Sequence, residues 1–250
     1  MRIVVVGGTG TAGSAAVRAG QSRGHEMVVA SRSAGVDART GEGLAAAVTG
    51  ADAVIDLCSV PTLSQRKASR FFVTAAQNIL AAAERAGVPH VVRLSVIGVD
   101  RNPHGFYAAQ LQMEGVYDSS AVPTTILRAA QFHEFAAQTL QRAALGPLCV
   151  APRARVQPVA VGEVGARVVS IAEAEPLGRA RDLAGPREEE LSAMVRAYAR
   201  RVGRRGPIPA VNLPGAMMQG LRQGLSLPDA DAQVGEQTFE MWLDELPAGA

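Results

Sequence analysis

The sequence predicts an α/β fold, a doubly wound parallel sheet with a smaller C-terminal α/β lobe, and three observations lead there. Short β-branched runs alternate with alanine-rich stretches of helical length in the first half of the chain. The first such run ends in a cluster of glycines that opens a helix, and prolines break the pattern into short pieces after about residue 144. Alternation of this kind marks βαβ units around a parallel sheet. With 250 residues, 48% of them hydrophobic and 19% charged, the chain can bury a large core without disulfides or metals.

The first strand is read at residues 3–6, where Ile3, Val4, Val5 and Val6 run without interruption, as in a strand covered on both faces. A helix over 11–23 follows, stopped by Gly24, and the second strand lies at 27–30. A weak third strand is expected near 36–38, then a short helix at 44–48 ended by Gly50, and a fourth strand at 53–57. A long helix at 63–86 is closed by Gly87 and Pro89. The fifth strand falls at 90–95, a further helix at 108–120 and the sixth strand at 124–127, all joined by right-handed crossovers.

A boundary after residue 145 then separates a domain of residues 1–145 from a smaller substrate or partner lobe of residues 146–250, beginning at Gly146-Pro147. In that lobe helices are expected at 162–173, 188–202, 216–223 and 238–245, with short strands near 156–159 and 181–183.

Composition removes several classes of function. Cys58 and Cys149 lie far apart with no CxxC or His-rich neighbour, so neither a metal site nor a disulfide framework is expected. The apolar run at the N-terminus reaches glycine within six residues, too short for a signal-peptide core or a membrane span, so the expectation is a cytoplasmic protein without membrane association. Lys67 is the only lysine among the 25 basic residues, and the arginines are scattered, so no nucleic-acid partner is expected. The one cluster, Arg196, Arg200, Arg201, Arg204 and Arg205, reads as the C-terminal half of a helix whose first turn holds Glu188, Glu189 and Glu190, an arrangement that complements the macrodipole.

The most informative segment is the strand that runs into Gly7-Gly8-Thr9-Gly10-Thr11-Ala12-Gly13. It satisfies GxGxxG at Gly8, Gly10 and Gly13, and GxxGxxG at Gly7, Gly10 and Gly13, between a strand and a helix at the head of a βαβ unit. One glycine allows the tight turn, one lets the backbone approach a pyrophosphate, and one lets helix and strand pack closely, which is the Rossmann-type dinucleotide site. Cofactor contacts are therefore expected from Gly7, Thr9, Gly10, Thr11, Ala12 and Gly13. At the end of the second strand, where an NAD-selective site places a carboxylate, the chain has Ser31-Arg32-Ser33. A guanidinium there pairs with a 2′-phosphate, so Ser31 and Arg32 predict NADP(H) as the cofactor.

With these motifs placed, the chain resembles the NmrA-like group of atypical short-chain dehydrogenase/reductases, in particular its bacterial NAD(P)H-binding members. The resemblance spans nearly the whole chain and rests on the glycine turn, Ser31-Arg32-Ser33, and the segments 35–44, 94–100, 125–132 and 239–243. It implies that Cys58, Ser59, Val60, Ser95 and the stretch 129–132, including Gln131, face the nicotinamide half of the cofactor. It also exposes a departure. Reductases of this superfamily pair a Tyr acid with a Lys four residues later, and the matching positions here are Phe106 and Gln110, which neither donate a proton nor carry a charge. Tyr107, one position late, His104 and Ser95 are the candidate catalytic residues that remain, with His133 as a further proton carrier and ordinary packing as the alternative for each.

The resemblance implies a reductase that passes hydride to a quinone- or enone-like small molecule without the usual Tyr/Lys pair, because the product anion is delocalised and takes its proton from water. Two alternatives stay open: an NADP(H)-sensing regulator that turns nothing over, and a biosynthetic tailoring enzyme with a different acid. The expected partner is a small-molecule substrate, with a homo-oligomer or a regulatory protein partner left open.

Overall fold

The apolar runs fold as strands and the alanine-rich stretches as helices in the computed structural model, which describes residues 1–62, 64–142, 144–145 and 148–247. Leu63, expected to start the long helix, and Gly146-Pro147, expected to open the second lobe, lie outside the described residues. In chain order the main elements begin with β1 (Arg2–Val6), α1 (Thr11–Ser22), β2 (Glu26–Ala30), α2 (Leu44–Val48) and β3 (Ala53–Asp56). Next come α3 (Gln65–Ala86), β4 (Val91–Val96), α4 (Phe106–Asp118), β5 (Thr124–Ala129) and α5 (Phe135–Arg142). The last are α6 (Val161–Ala172), α7 (Leu191–Arg201), α8 (Ala216–Arg222) and α9 (Phe239–Glu245).

Contacts divide the chain into two compact units, Met1–Arg128 with Val161–Arg181, and Ala129–Ala160 with Asp182–Ala250. This division does not coincide with a single boundary after residue 145. The chain leaves the first unit at the end of β5 and returns to it with α6.

The first unit is a sheet in the order β2-β1-β3-β4-β5, with β1 parallel to both β2 and β3 and β3 parallel to β4. A two-residue strand, Gly178–Arg179, adds in parallel beside Thr125 and Ile126 of β5. Because the chain goes outward from β1 to β2 and then returns across β1 to β3, the strand order reverses between β1 and β3. That reversal opens a crevice at their carboxyl ends, where ligands of such sheets bind. Ile3, Val4 and Val5 have no exposed surface, and neither do Ala53, Val54 and Ile55, as helices on both faces of the sheet require. On α3 the buried residues Ala68, Phe72, Ala75, Ala76, Ile79 and Ala83 recur at helical spacing and form one core with Ala109, Met113 and Tyr117 of α4.

Two expectations need correction here. Residues 36–38 are not a strand: they make a single antiparallel bridge, Asp37 to Glu42, inside a turn where Asp37 Oδ1 accepts the Arg39 N–H at 2.8 Å and the Asp37 carbonyl accepts that of Gly41 at 2.9 Å. Side-chain to backbone bonds of this kind divert the chain from a ladder. Helix α6, read from sequence as part of the second lobe, packs in the first unit against α1. A Cβ on Gly165 would lie 2.5 Å from the Ala15 carbonyl carbon and 2.7 Å from the Ala16 nitrogen, so the two helix backbones touch. Arg23 and His25 tie the far end of α1 to Glu173, just beyond α6.

In the second unit α5 packs on α7, and short strands surround them. Ala151–Pro152 runs parallel to Ala210–Val211, Arg155–Val156 antiparallel to Glu189–Glu190, and Leu183–Ala184 parallel to Gln233–Val234. Helix α7 begins at Leu191 rather than 188, because Glu189 and Glu190 are held in that antiparallel pair while Glu188 pairs with Arg155 at 2.6 Å. The carboxylates therefore precede the helix instead of occupying its first turn. Arg201, from the basic cluster, donates to the carbonyls of Asp244 and Leu246 and so closes the end of α9. Among the described residues no helix is long and apolar enough to cross a membrane.

The α1–α6 contact yields a stability prediction. Gly165→Ala forces two backbones apart and should lower the free energy of unfolding by about 1–3 kcal/mol, read as a shifted urea midpoint. An unchanged midpoint would contradict the close approach.

Candidate functional site

The site is built at the carboxyl end of β1. Gly7 turns the chain with φ +83°, and its N–H donates to the Ala30 carbonyl of β2 at 2.8 Å. The Gly10 N–H then closes back on the Gly7 carbonyl at 2.9 Å, and Gly10 becomes the residue that caps α1, with no side chain serving as the cap. The Thr11, Ala12 and Gly13 N–H groups of the first helical turn thus have no intrahelical acceptor and point at the crevice end of the helix.

The glycines divide by what demands them. A Cβ on Gly13 would sit 2.1 Å from the Gly7 carbonyl oxygen, and one on Gly7 2.9 Å from the Leu57 carbonyl. Gly8 is confined by Val29 and the Val5 carbonyl, each 3.0 Å from such a Cβ. These three are required by the chain itself. Gly10 is held less tightly: its φ is −75°, it is exposed, and its Cβ would meet only the Gly7 oxygen, at 3.3 Å, a close contact that a shift of a few tenths of an ångström relieves. A bare backbone at an exposed, uncapped helix N-terminus, with Thr9 and Thr11 exposed on either side and Ala12 buried beneath, fits a pyrophosphate pressed against it.

At the end of β2, the Ser31 and Ser33 hydroxyls bond each other at 2.9 Å, and Arg32 begins a single 3₁₀ turn with its side chain exposed. The nearest acidic residue in sequence, Asp37, is already engaged: hydrogen bonds from Arg39, at 2.9 Å from the guanidinium, hold its carboxyl below the usual carboxylate range.

On the other side of β1, residues 57–60 carry Cys58, Ser59 and Val60 across Gly7. Beneath them lies a buried polar cluster that sequence reading missed. Arg93 of β4 pairs with Asp56 at 2.9 Å, both only 2% exposed, and the same nitrogen reaches the carbonyls of Asp56 and Cys58 at 3.3 Å. Tyr117 of α4 donates to Asp56 at 2.7 Å, the Cys58 N–H donates to Asp56 at 2.8 Å, and Arg93 donates to Gln110 at 3.3 Å. Burial, with the Asp56 carboxylate adding to it, pushes the Cys58 thiol well above its ordinary range, so Cys58 stays a neutral thiol. Burial and Asp56 do the same to the Tyr117 phenol.

The remaining candidates occupy distinct places. Ser95 is buried on β4 beside Glu114 of α4. Burial pushes the Glu114 carboxyl up, but Arg128 at 2.8 Å and the neighbouring Ser95 hydroxyl outweigh it and keep it below the ordinary range. Helix α4 begins at Phe106, two residues before the expected start, so Tyr107 lies in its first turn and is buried, while His104 is exposed in the turn before it. Phe106 stacks edge-on against Phe72 at 5.5 Å, and Gln110 is taken up by Arg93. Gln131 follows β5 in the second unit, its carbonyl accepting the Val159 N–H at 2.9 Å. His133 is fully buried there, its Nε2 at 3.1 Å from the Gln237 carbonyl and its ring against Phe239 and Trp242.

The sequence profile of an NAD(P)H-binding family matches residues 7–162. No curated protein sequence matches the chain. Solved structures with the same fold include a nucleoside-diphosphate-sugar epimerase from Staphylococcus aureus (TM-score 0.73, 16% identity, covering 98% of this chain and 100% of that one). A short-chain dehydrogenase/reductase superfamily protein from Agrobacterium tumefaciens with bound NAD gives TM-score 0.69 at 19% identity, covering 98% and 95% of the two chains. An NADPH-dependent quinone oxidoreductase from Escherichia coli in complex with NADPH gives TM-score 0.69 at 17% identity, covering 97% and 98%. These likenesses establish a Rossmann-type α/β fold, in keeping with the resemblance to NmrA-like atypical short-chain dehydrogenase/reductases.

The division among the glycines can be measured. Gly13→Ala should cost at least about 1–3 kcal/mol of stability by forcing backbone against backbone, whereas Gly10→Ala should stay within about 0.5 kcal/mol of the parent. Equal losses in chemical denaturation would mean that Gly10, too, is held by the fold.

Proposed function

The chain belongs to the NAD(P)H-binding family, and from that premise we propose that it is an NADPH-dependent reductase of the atypical short-chain type, acting on a quinone- or enone-like small molecule. The observation that carries the proposal is Gly10, the glycine of the turn that the fold confines least, at the exposed, uncapped N-terminus of α1. Its bare backbone and the Thr11 and Ala12 N–H groups would take the pyrophosphate, and Arg32 would take the 2′-phosphate through charge-assisted hydrogen bonds. Asp37, committed to Arg39, offers that phosphate no competing carboxylate.

Bound NADPH would supply the hydride to the acceptor carbon or ring. The chain's own part is to bind, orient and exclude water. Ser95, beside the ionised Glu114, and the neutral Cys58 are poor proton donors at neutral pH, and Phe106 and Gln110 are engaged with Phe72 and Arg93. An acceptor whose reduced form is a delocalised anion suits such a site, since the hydride supplies one hydrogen and the single proton that completes the product comes from solvent. The quinone oxidoreductase of the same fold is consistent with this choice. The engagement of Phe106 and Gln110 in packing also favours a second reading, an NADP(H)-responsive regulatory protein without turnover.

Two outcomes are expected. Arg32→Glu should weaken NADPH binding at least about 30-fold and leave NADH within about threefold, since only NADPH brings a phosphate to that position; equal losses in titration calorimetry would remove the NADP assignment. In a panel of quinones and enones, NADPH oxidation should depend on protein and vanish in Gly10→Val. Tight NADPH binding with no oxidation of NADPH across the panel would instead support the regulatory reading.

A further inference from the structure

Arg93 is buried, charged and remote in sequence from every cofactor motif, yet its contacts converge on the wall of the crevice. From the middle of β4 it reaches sideways to β3 and upward to the loop that follows. One nitrogen pairs with the Asp56 carboxylate at 2.9 Å and donates to the Asp56 and Cys58 carbonyls at 3.3 Å; the other donates to Gln110 of α4 at 3.3 Å. Its guanidinium carbon stands 5.5 Å from the Phe72 ring centre. Asp56 in turn accepts from the Cys58 N–H and from Tyr117, so residues 56–58 are held from their carbonyl and their amide sides at once.

The loop so held lies directly on the glycine turn, since a Cβ on Gly7 would come within 2.9 Å of the Leu57 carbonyl and 3.1 Å of the Cys58 nitrogen. The sheet order β2-β1-β3 puts Arg32 at the end of one neighbour of β1 and this loop at the end of the other. A dinucleotide with its 2′-phosphate at Arg32 and its pyrophosphate on the α1 N-terminus therefore extends its remaining half over residues 57–60.

We propose that Arg93 is a positioning residue: by gripping the Asp56 and Cys58 carbonyls it sets the loop 57–60 against the nicotinamide half of the cofactor, and Gln110 is the acceptor that keeps its second nitrogen in place. This inference rests on the reading of the site as a dinucleotide cradle. It also explains why a neutral acceptor stands at position 110. A lysine there would set a second cation at hydrogen-bond distance from Arg93 in a buried setting, which low dielectric makes unfavourable. A neutral amide oxygen instead accepts the fork. Arginine is required at 93 because an ammonium could take over the contacts of one nitrogen, to the carboxylate and the two carbonyls, but has no second nitrogen for Gln110, so the direction that the planar fork fixes between the loop and α4 is lost.

The test compares two ligands on Arg93→Lys, which keeps the charge beside Asp56 and loses the fork. NADPH occupies the whole crevice, whereas 2′,5′-ADP carries only the adenosine half with its 2′-phosphate. The account expects the NADPH dissociation constant to rise about tenfold and that of 2′,5′-ADP to stay within about twofold, in a protein that still folds but melts at a lower temperature because the Gln110 acceptor is left unpaired. Equal weakening of both ligands, or of neither, overturns the positioning role while leaving the cofactor reading intact. Failure of the parent protein to bind either ligand overturns the cofactor reading, and this inference with it. Should Arg93→Lys fail to fold, Gln110→Met, which removes only the acceptor, carries the same test with an expected split of about threefold.

Discussion

The close approach of Gly13 to the Gly7 carbonyl is the constraint on which the rest of the site depends. A side chain at 13 would overlap that oxygen at 2.1 Å, so α1 can begin where it does only with glycine there. The helix start fixes the direction of its free N–H groups, and those groups, together with the helix dipole, make the crevice end of β1 a place for an anion. Other elements secure this arrangement. Helix α6 touches the α1 backbone through Gly165, and the loop after β3 rests on Gly7.

A second theme is the polar interior between α4 and the sheet. Removing Asp56 and Arg93 from water is costly, and their mutual attraction together with the surrounding hydrogen bonds offsets that cost without guaranteeing a gain. Such a pair is better understood through the geometry it imposes than through stability. It is joined by Tyr117 and Gln110 along one face of α4, while Glu114 on the same helix pairs with Arg128 and lies next to Ser95. Helix α4 thus spends its inward polar residues on holding neighbouring elements in place. In the proposed reductase, catalysis would depend on orientation and exclusion of water and not on a tuned acid from this helix.

Much of this organisation was legible in the sequence, and the parts that were not share a physical reason. The turn 7–13, the strand before it and the helix after it could be read because the constraint is local: glycine spacing, strand and helix lie within 22 residues. The place of Arg32 just past the end of β2 was legible for the same reason. The Arg93 cluster was not, because Asp56, Arg93, Gln110 and Tyr117 meet only after the sheet has formed, across separations of up to 61 residues. The expected third strand at 36–38 did not form because Asp37 satisfies the local backbone in a turn. Proline-based segmentation placed α6 in the second lobe, since nothing near Gly165 in sequence announces that its bare face meets Ala15 and Ala16. Helix α5 was missed because its eight residues carry only a narrow buried stripe of Ala136, Thr139 and Leu140.

The most direct measurement of the central claim is an amide NMR titration of the isotope-labelled protein with NADPH. The account predicts that the resonances of Gly10, Thr11 and Ala12 move most, together with the Arg32 side-chain Nε–H and the amides of residues 57–60. Saturating shifts that leave the glycine turn unperturbed, or no shifts at all, would contradict it.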